Sequence, residues 1–147
     1  MALDDDIRKL ARNAMLRDFE PEALRLIAFA AESRDYRAGD VLFHAGETAD
    51  GGYLLRSGSV SLEAEGENVT VLPPSLLGGT ALITETLRPA TAIVREPSSL
   101  LKIPRPLFLR VLNEYPDSAV LLHKNIAARL QSFARELDTV RSSVLDE

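Results

Sequence analysis

The sequence predicts a mainly β fold with flanking helices: a sandwich or jelly-roll-like β-roll over residues 36–104, short helices before it and a long helix after it. Three observations carry this prediction. Between 36 and 104, short apolar or alternating runs are separated by Gly, Pro, Asp and Asn, the mark of closely spaced strands and turns. Before residue 36 the apolar residues recur at helical spacing. From 117 to 144 the chain contains no Pro or Gly, and its apolar residues repeat in alternating steps of four and three, the period of a coiled-coil seam.

Residues 4–16 place Ile7, Leu10, Ala11 and Ala14 on one side of a short amphipathic helix. Pro21 suits the first turn of a second helix, where its missing N–H costs nothing, and Glu20 and Glu22 favour the positive end of the dipole. Leu24, Ile27, Ala28 and Ala31 form its apolar face. In the β region Val60, Leu62 and Ala64 alternate with Ser59, Ser61 and Glu63, so one face is expected to be buried. Val69 and Val71 alternate similarly, and Ile93 between Ala92 and Val94 does so less cleanly. Gly39, Gly46, Gly51–Gly52, Gly58 and Gly66 mark turns between about eight strands. A short helix around Gly79–Ile83 interrupts the roll. Pro106 and Pro116 mark helix entries, and Ala119, His123, Ile126, Leu130, Phe133, Leu137, Val140 and Val144 form the heptad seam. A helix over 117–144 would run about 40 Å at about 1.5 Å per residue, longer than a small roll needs for cover. The seam therefore predicts a homodimer through the C-terminal helix. Packing back onto its own domain is the alternative.

Composition limits the chemistry. The chain has 147 residues and a formal net charge of −5, which suits one domain (1–147: helices at 1–35, roll at 36–104, helices at 105–147) with a core of useful size. It contains no cysteine, so thiol catalysis, cysteine zinc sites and disulfide scaffolding are excluded. No apolar run reaches the length of a membrane span, and Asp4-Asp5-Asp6 is unlike a signal peptide. A cytoplasmic protein without membrane attachment is the expectation. The negative charge argues against broad electrostatic attachment to DNA.

The most informative stretch is Leu76–Ala92, LLGGTALITETLRPATA. Two adjacent glycines let backbone amides approach an anion closely at the start of a helical turn. Arg88, nine residues after Gly79, offers the fork of donors that suits a phosphate. Pro89 holds Arg88 in extended geometry.

Residues 36–104 resemble the cyclic-nucleotide-binding domain of the catabolite-activator and protein-kinase-A regulatory-subunit superfamily. The resemblance rests on Tyr36-x-x-Gly39-Asp40-Val41-Leu42-Phe43, His44-x-Gly46-Glu47, Gly52-Tyr53-Leu54-Leu55-x-x-Gly58-Ser59-Val60, and the cassette Leu77-Gly78-Gly79-Thr80-Ala81-Leu82-Ile83 ending in Arg88-Pro89-Ala90-Thr91-Ala92. It implies a double-stranded β-helix with a phosphate-binding cassette of Gly78, Gly79, Thr80, Ala81, Leu82, Arg88, Pro89, Ala90 and Thr91, and cyclic AMP or cyclic GMP as ligand. One departure bears directly on function. Where the family has a glutamate that accepts hydrogen bonds from the ribose 2′-hydroxyl, this chain has Gly79. A hydrogen bond to a charged group contributes about 1.5–3 kcal/mol, so its loss predicts affinity weaker by about 10- to 150-fold. Thr80 and Glu85 are the nearest candidates to replace it.

Other chemistries find little support. The two histidines, His44 and His123, fall in different elements. No HxH, HExxH or acidic calcium-loop spacing occurs, and no G-x-S-x-G elbow. Glu63, Glu65 and Glu67 read as the solvated edge of a hairpin. No catalytic residue, metal site or cofactor is predicted. The family's transcription regulators continue into a winged helix-turn-helix, whereas this chain stops at Glu147, so no DNA binding is expected of it. The expected function is a non-enzymatic sensor or regulatory domain, standing alone or as a piece of a larger regulator, channel or kinase. The competing expectation is a ligand-free module that dimerises or docks a protein partner.

Overall fold

A computed structural model describes residues 2–128, with side chains from residue 3 onward. Ten strands form two four-stranded antiparallel sheets, ordered β1-β10-β4-β7 and β2-β9-β5-β6, with a two-stranded ribbon β3-β8. The strands are β1 (Glu32–Tyr36), β2 (Val41–Phe43), β3 (Thr48–Ala49), β4 (Gly51–Ser57), β5 (Val60–Ala64), β6 (Glu67–Val71), β7 (Ser75–Leu77), β8 (Thr86–Leu87), β9 (Thr91–Val94) and β10 (Ser98–Pro104). Helices α1 (Ala2–Ala11), α2 (Pro21–Ala30) and α3 (Arg105–Glu114) flank them, and the chain is helical again over 116–128, here α4. This is the predicted β-roll with flanking helices.

The interior divides in two. Between the sheets lie Phe43, Tyr53, Leu55, Val60, Leu77, Ala92, Val94 and Leu100. Beneath the helices, Leu10, Leu16, Phe19, Leu24, Ile27, Leu54, Leu101, Ile103, Phe108 and Val111 form a second cluster, with the rings of Phe19 and Phe108 stacked 6.0 Å apart. Helix α1 carries Asp4 and Asp5 in its first turn and Arg8 and Lys9 in its last, both matched to the helix dipole. Arg56 of β4 fastens it to the sheet through a 3.1 Å ion pair with the buried Asp6. Pro21 occupies the start of α2, and Leu24, Ile27 and Ala28 are its buried face.

Three expectations change. Gly51 and Gly52 are not a turn but the first residues of β4. A Cβ on Gly51 would lie 2.2 Å from the Ile103 carbonyl oxygen, and one on Gly52 3.1 Å from that of Leu77, so these glycines admit neighbouring backbone. Val69 is 60 % exposed although it alternates with Val71, because β6 is the outer strand of its sheet. In α4 the buried residues are Ser118 and Leu122, with Ile126 half-buried, while His123 is exposed. The first turns of this helix therefore pack on the domain through a stripe offset from the expected seam. Leu130, Phe133, Leu137, Val140 and Val144 lie outside the described residues.

Candidate functional site

Strand β7 delivers the chain to Gly78, whose φ of 73° is left-handed. A 3-10 turn over Gly79–Leu82 follows, with Ala81 and Leu82 buried. The ribbon then pairs Thr86 and Leu87 with Ala49 and Thr48. Main-chain hydrogen bonds extend this pairing to Arg88, whose N–H donates to the Glu47 carbonyl and whose carbonyl accepts from Gly46 N–H, each at 2.8 Å. Arg88 is thus held through its backbone, and its side chain turns inward.

That side chain is 5 % exposed. Its Nη2 donates to the Gly51 carbonyl at 2.9 Å, and the guanidinium carbon sits 4.2 Å from the Phe43 ring centroid and 5.9 Å from that of Tyr53, within cation–π range. A Cβ on Gly78 would lie 2.3 Å from Arg88 Nη1. Glycine at 78 thus serves both the left-handed turn and the approach of the guanidinium. Among the described residues no carboxylate forms an ion pair with Arg88. Burial pushes its pKa below the usual guanidinium value, against the pull of Tyr53, Asp50 and Glu47. A desolvated cation without an anion is costly, and a negatively charged ligand would relieve that cost.

The guanidinium borders a cavity of about 140 Å³ lined by Phe43, Leu62, Leu76, Leu77, Gly78, Arg88, Pro89 and Ala90. Of the residues expected from the sequence, the structure brings Gly78, Arg88, Pro89 and Ala90 to this cavity. The others frame it or turn away. Ala81 and Leu82 are buried beneath the turn, and Thr80 and Glu85 are exposed. The Thr91 hydroxyl accepts from Ala45 N–H at 3.0 Å. The Ala81 amide donates to the Gly78 carbonyl at 3.0 Å, so a cradle using every amide of Gly78–Ala81 is not open in this conformation. Position 79 has a neighbour too, since a Cβ there would meet Met15 Sδ at 3.1 Å and Leu76 Cδ2 at 3.3 Å. His44 pairs with Glu47 at 2.7 Å on the surface. Among the described residues no three His, Asp or Glu converge as a metal site, and no helix is long and apolar enough to cross a membrane.

Sequence reasoning missed the apolar wall of Leu62, Leu76 and Leu77, which are indistinguishable from ordinary core residues in one dimension. It also missed Arg105. The Nε of Arg105 donates to the Ala81 carbonyl at 2.9 Å and its Nη2 to the Ala49 carbonyl, while its N–H donates to the Asp50 carbonyl at 2.8 Å. This one residue joins the start of α3 to the turn and to β3. A cation in the first turn of a helix opposes the dipole, and that mismatch was the available signal.

Residues 33–115 match the family described as the cyclic nucleotide-binding domain. The chain belongs to that family. A solved structure described as a cyclic nucleotide-binding-like protein from Brucella abortus is 39 % identical, with a TM-score of 0.68, and covers 75 % of this chain and 99 % of that one. The N-terminal domain of a transcriptional regulator from Streptomyces coelicolor is 25 % identical, with a TM-score of 0.79, covering 87 % and 94 %. Among curated proteins, the lysophospholipase nte1 of Neosartorya fischeri is 32 % identical over 117 residues, 76 % of this chain. The chain spans only 8 % of the length of that relative. It is a cyclic nucleotide-binding-type domain, a regulatory or sensor fold.

Proposed function

We propose that this domain is a non-catalytic sensor that takes an anion on Arg88 and passes the event through Arg105 to α3. The observation that carries the reading is Arg88 itself: buried, at the edge of a cavity, without a carboxylate partner among the described residues. An anion seated there would shift the Gly78–Leu82 turn, and the Ala81 carbonyl is bonded to Arg105 at 2.9 Å. A ligand moves such an element only by binding its two arrangements unequally. Cyclic AMP and cyclic GMP bind weakly on this reading, because position 79 supplies no acceptor for a ribose hydroxyl. The domain acts in the cytoplasm as a homodimer joined by its C-terminal helix, alone or as the regulatory part of a longer chain.

Calorimetric titration with cyclic AMP, cyclic GMP and inorganic phosphate tests the reading, with Arg88→Ala as control. Saturable binding that disappears in Arg88→Ala is the expected result. Absence of binding by any anion up to millimolar concentration would overturn it and favour a ligand-free interaction module. One observation favours that second reading: the Gly51 carbonyl already occupies one edge of the guanidinium.

A further inference from the structure

We infer that the anion taken at Arg88 carries a small apolar body of about six carbons, as a short-chain or aromatic carboxylate or phosphate monoester does, in place of a nucleoside. The inference rests on the anion-sensor reading and adds the class of ligand. Apart from Gly78 and Arg88, the cavity wall is Phe43, Leu62, Leu76, Leu77, Pro89 and Ala90. None of those six side chains has a hydroxyl, amide or carboxylate. A ribose ring or a purine edge placed there would lose its water without gaining a side-chain hydrogen bond, at a cost that grows with each polar atom. An apolar body has no such loss and gains from burial.

Volume points the same way. The cavity measures about 140 Å³. A cavity of about 150 Å³ lined by Leu, Ile and Phe in an unrelated protein holds benzene, whereas pockets for drug-sized ligands begin near 300 Å³. Enlargement toward position 79 is opposed by Met15 Sδ and Leu76 Cδ2, which lie 3.1 and 3.3 Å from where a Cβ would stand. The charge requirement is met from one side. Arg88 has five N–H donors, and its one side-chain hydrogen bond among the described residues is to the Gly51 carbonyl. The cavity therefore joins one cationic fork to a carbon-lined space the size of a phenyl ring.

Four probes separate the alternatives in calorimetry at fixed ionic strength: phenyl phosphate, hexanoate, inorganic phosphate and cyclic AMP. Phenyl phosphate or hexanoate is expected to bind at least tenfold tighter than inorganic phosphate and cyclic AMP, and binding by only one of the two assigns the head group. Arg88→Gln should abolish this binding. Because Arg88 also holds Gly51, a second variant keeps the test independent of folding. Ala90→Phe leaves the guanidinium in place and fills the cavity, so it should weaken phenyl phosphate and hexanoate at least tenfold more than it weakens inorganic phosphate, and equal weakening of all three would overturn the inference. Circular dichroism checks both variants for the native fold. If cyclic AMP or inorganic phosphate binds as tightly as the apolar anions, the inference fails while the anion-sensor reading stands. If none of the four binds, both fail.

Discussion

Gly78 and Arg88 form a single unit, because the guanidinium lies where a side chain on residue 78 would begin. Gly78→Ala should therefore destabilise the fold by about 1–2 kcal/mol from the left-handed backbone alone. It should also move Arg88 out of position. A lower urea midpoint, together with loss of anion binding, is the expected pair of results, and an unchanged midpoint would show that the turn relaxes freely. Position 79 is a different case. Restoring the family's acidic residue with Gly79→Glu has to displace Met15 Sδ, 3.1 Å from the new Cβ, so the single variant is expected not to gain cyclic AMP binding by calorimetry. The double variant Gly79→Glu, Met15→Ala has the room and is expected to bind more tightly than the single one. Equal cyclic AMP affinity in the two would remove Met15 as the obstacle. Pro89 and the glycine pair were legible because each is a residue type with a strong local backbone constraint, and Arg88 was legible through the family resemblance of its position. Leu62 and Leu76 were not, since a leucine facing a cavity and a leucine facing core have the same sequence signature.

At the scale of elements, the helices are tied to one another and to the roll by single polar residues as well as by packing. The hydroxyl of Ser118, fully buried in α4, accepts from the Glu20 N–H that precedes α2, at 3.0 Å. Ser118→Ala leaves that donor without its partner and should cost about 1–3 kcal/mol, read as a fall in the denaturation midpoint. A change below a few tenths would mean that water replaces the hydroxyl. Arg105 links α3 to the turn at Ala81. In Arg105→Ala, ligand is still expected to bind at Arg88, but amide-exchange protection of α3 should no longer respond to it. A response equal to that of the unaltered protein would rule Arg105 out as the link. The helix starts at Pro21, Pro106 and Pro116 were legible because proline restricts its own φ and lacks a donor. The stripe that α4 buries was not, because which side of a helix meets the domain depends on the approach angle of the preceding α3.

At the scale of the whole molecule, the seam from Leu130 to Val144 predicts self-association through residues beyond those described. Light scattering should give about twice the 16.1 kDa mass of one chain, and Leu130→Asp combined with Leu137→Asp should return it to one chain's mass. A monomer before substitution would leave the seam without a self-partner. The sequence by itself determined the β-roll with flanking helices and the positions of most turns, through backbone restrictions on single residues and periodicities within one segment. The cassette with its arginine was read from the family resemblance of Leu77–Ala92. Only the tertiary structure decided what meets at the cavity. Arg88 finds the Gly51 carbonyl 37 residues away, and Arg105 finds that of Ala81 at a separation of 24. Gly51 and Gly52 prove to be strand residues pressed against neighbouring backbone. Met15 stands over Gly79 because α1 is fastened to the sheet by Arg56 and Asp6. Contacts of this kind depend on how strands pair and helices dock, and no local pattern in a single chain encodes the distance between two residues that meet only when the roll closes.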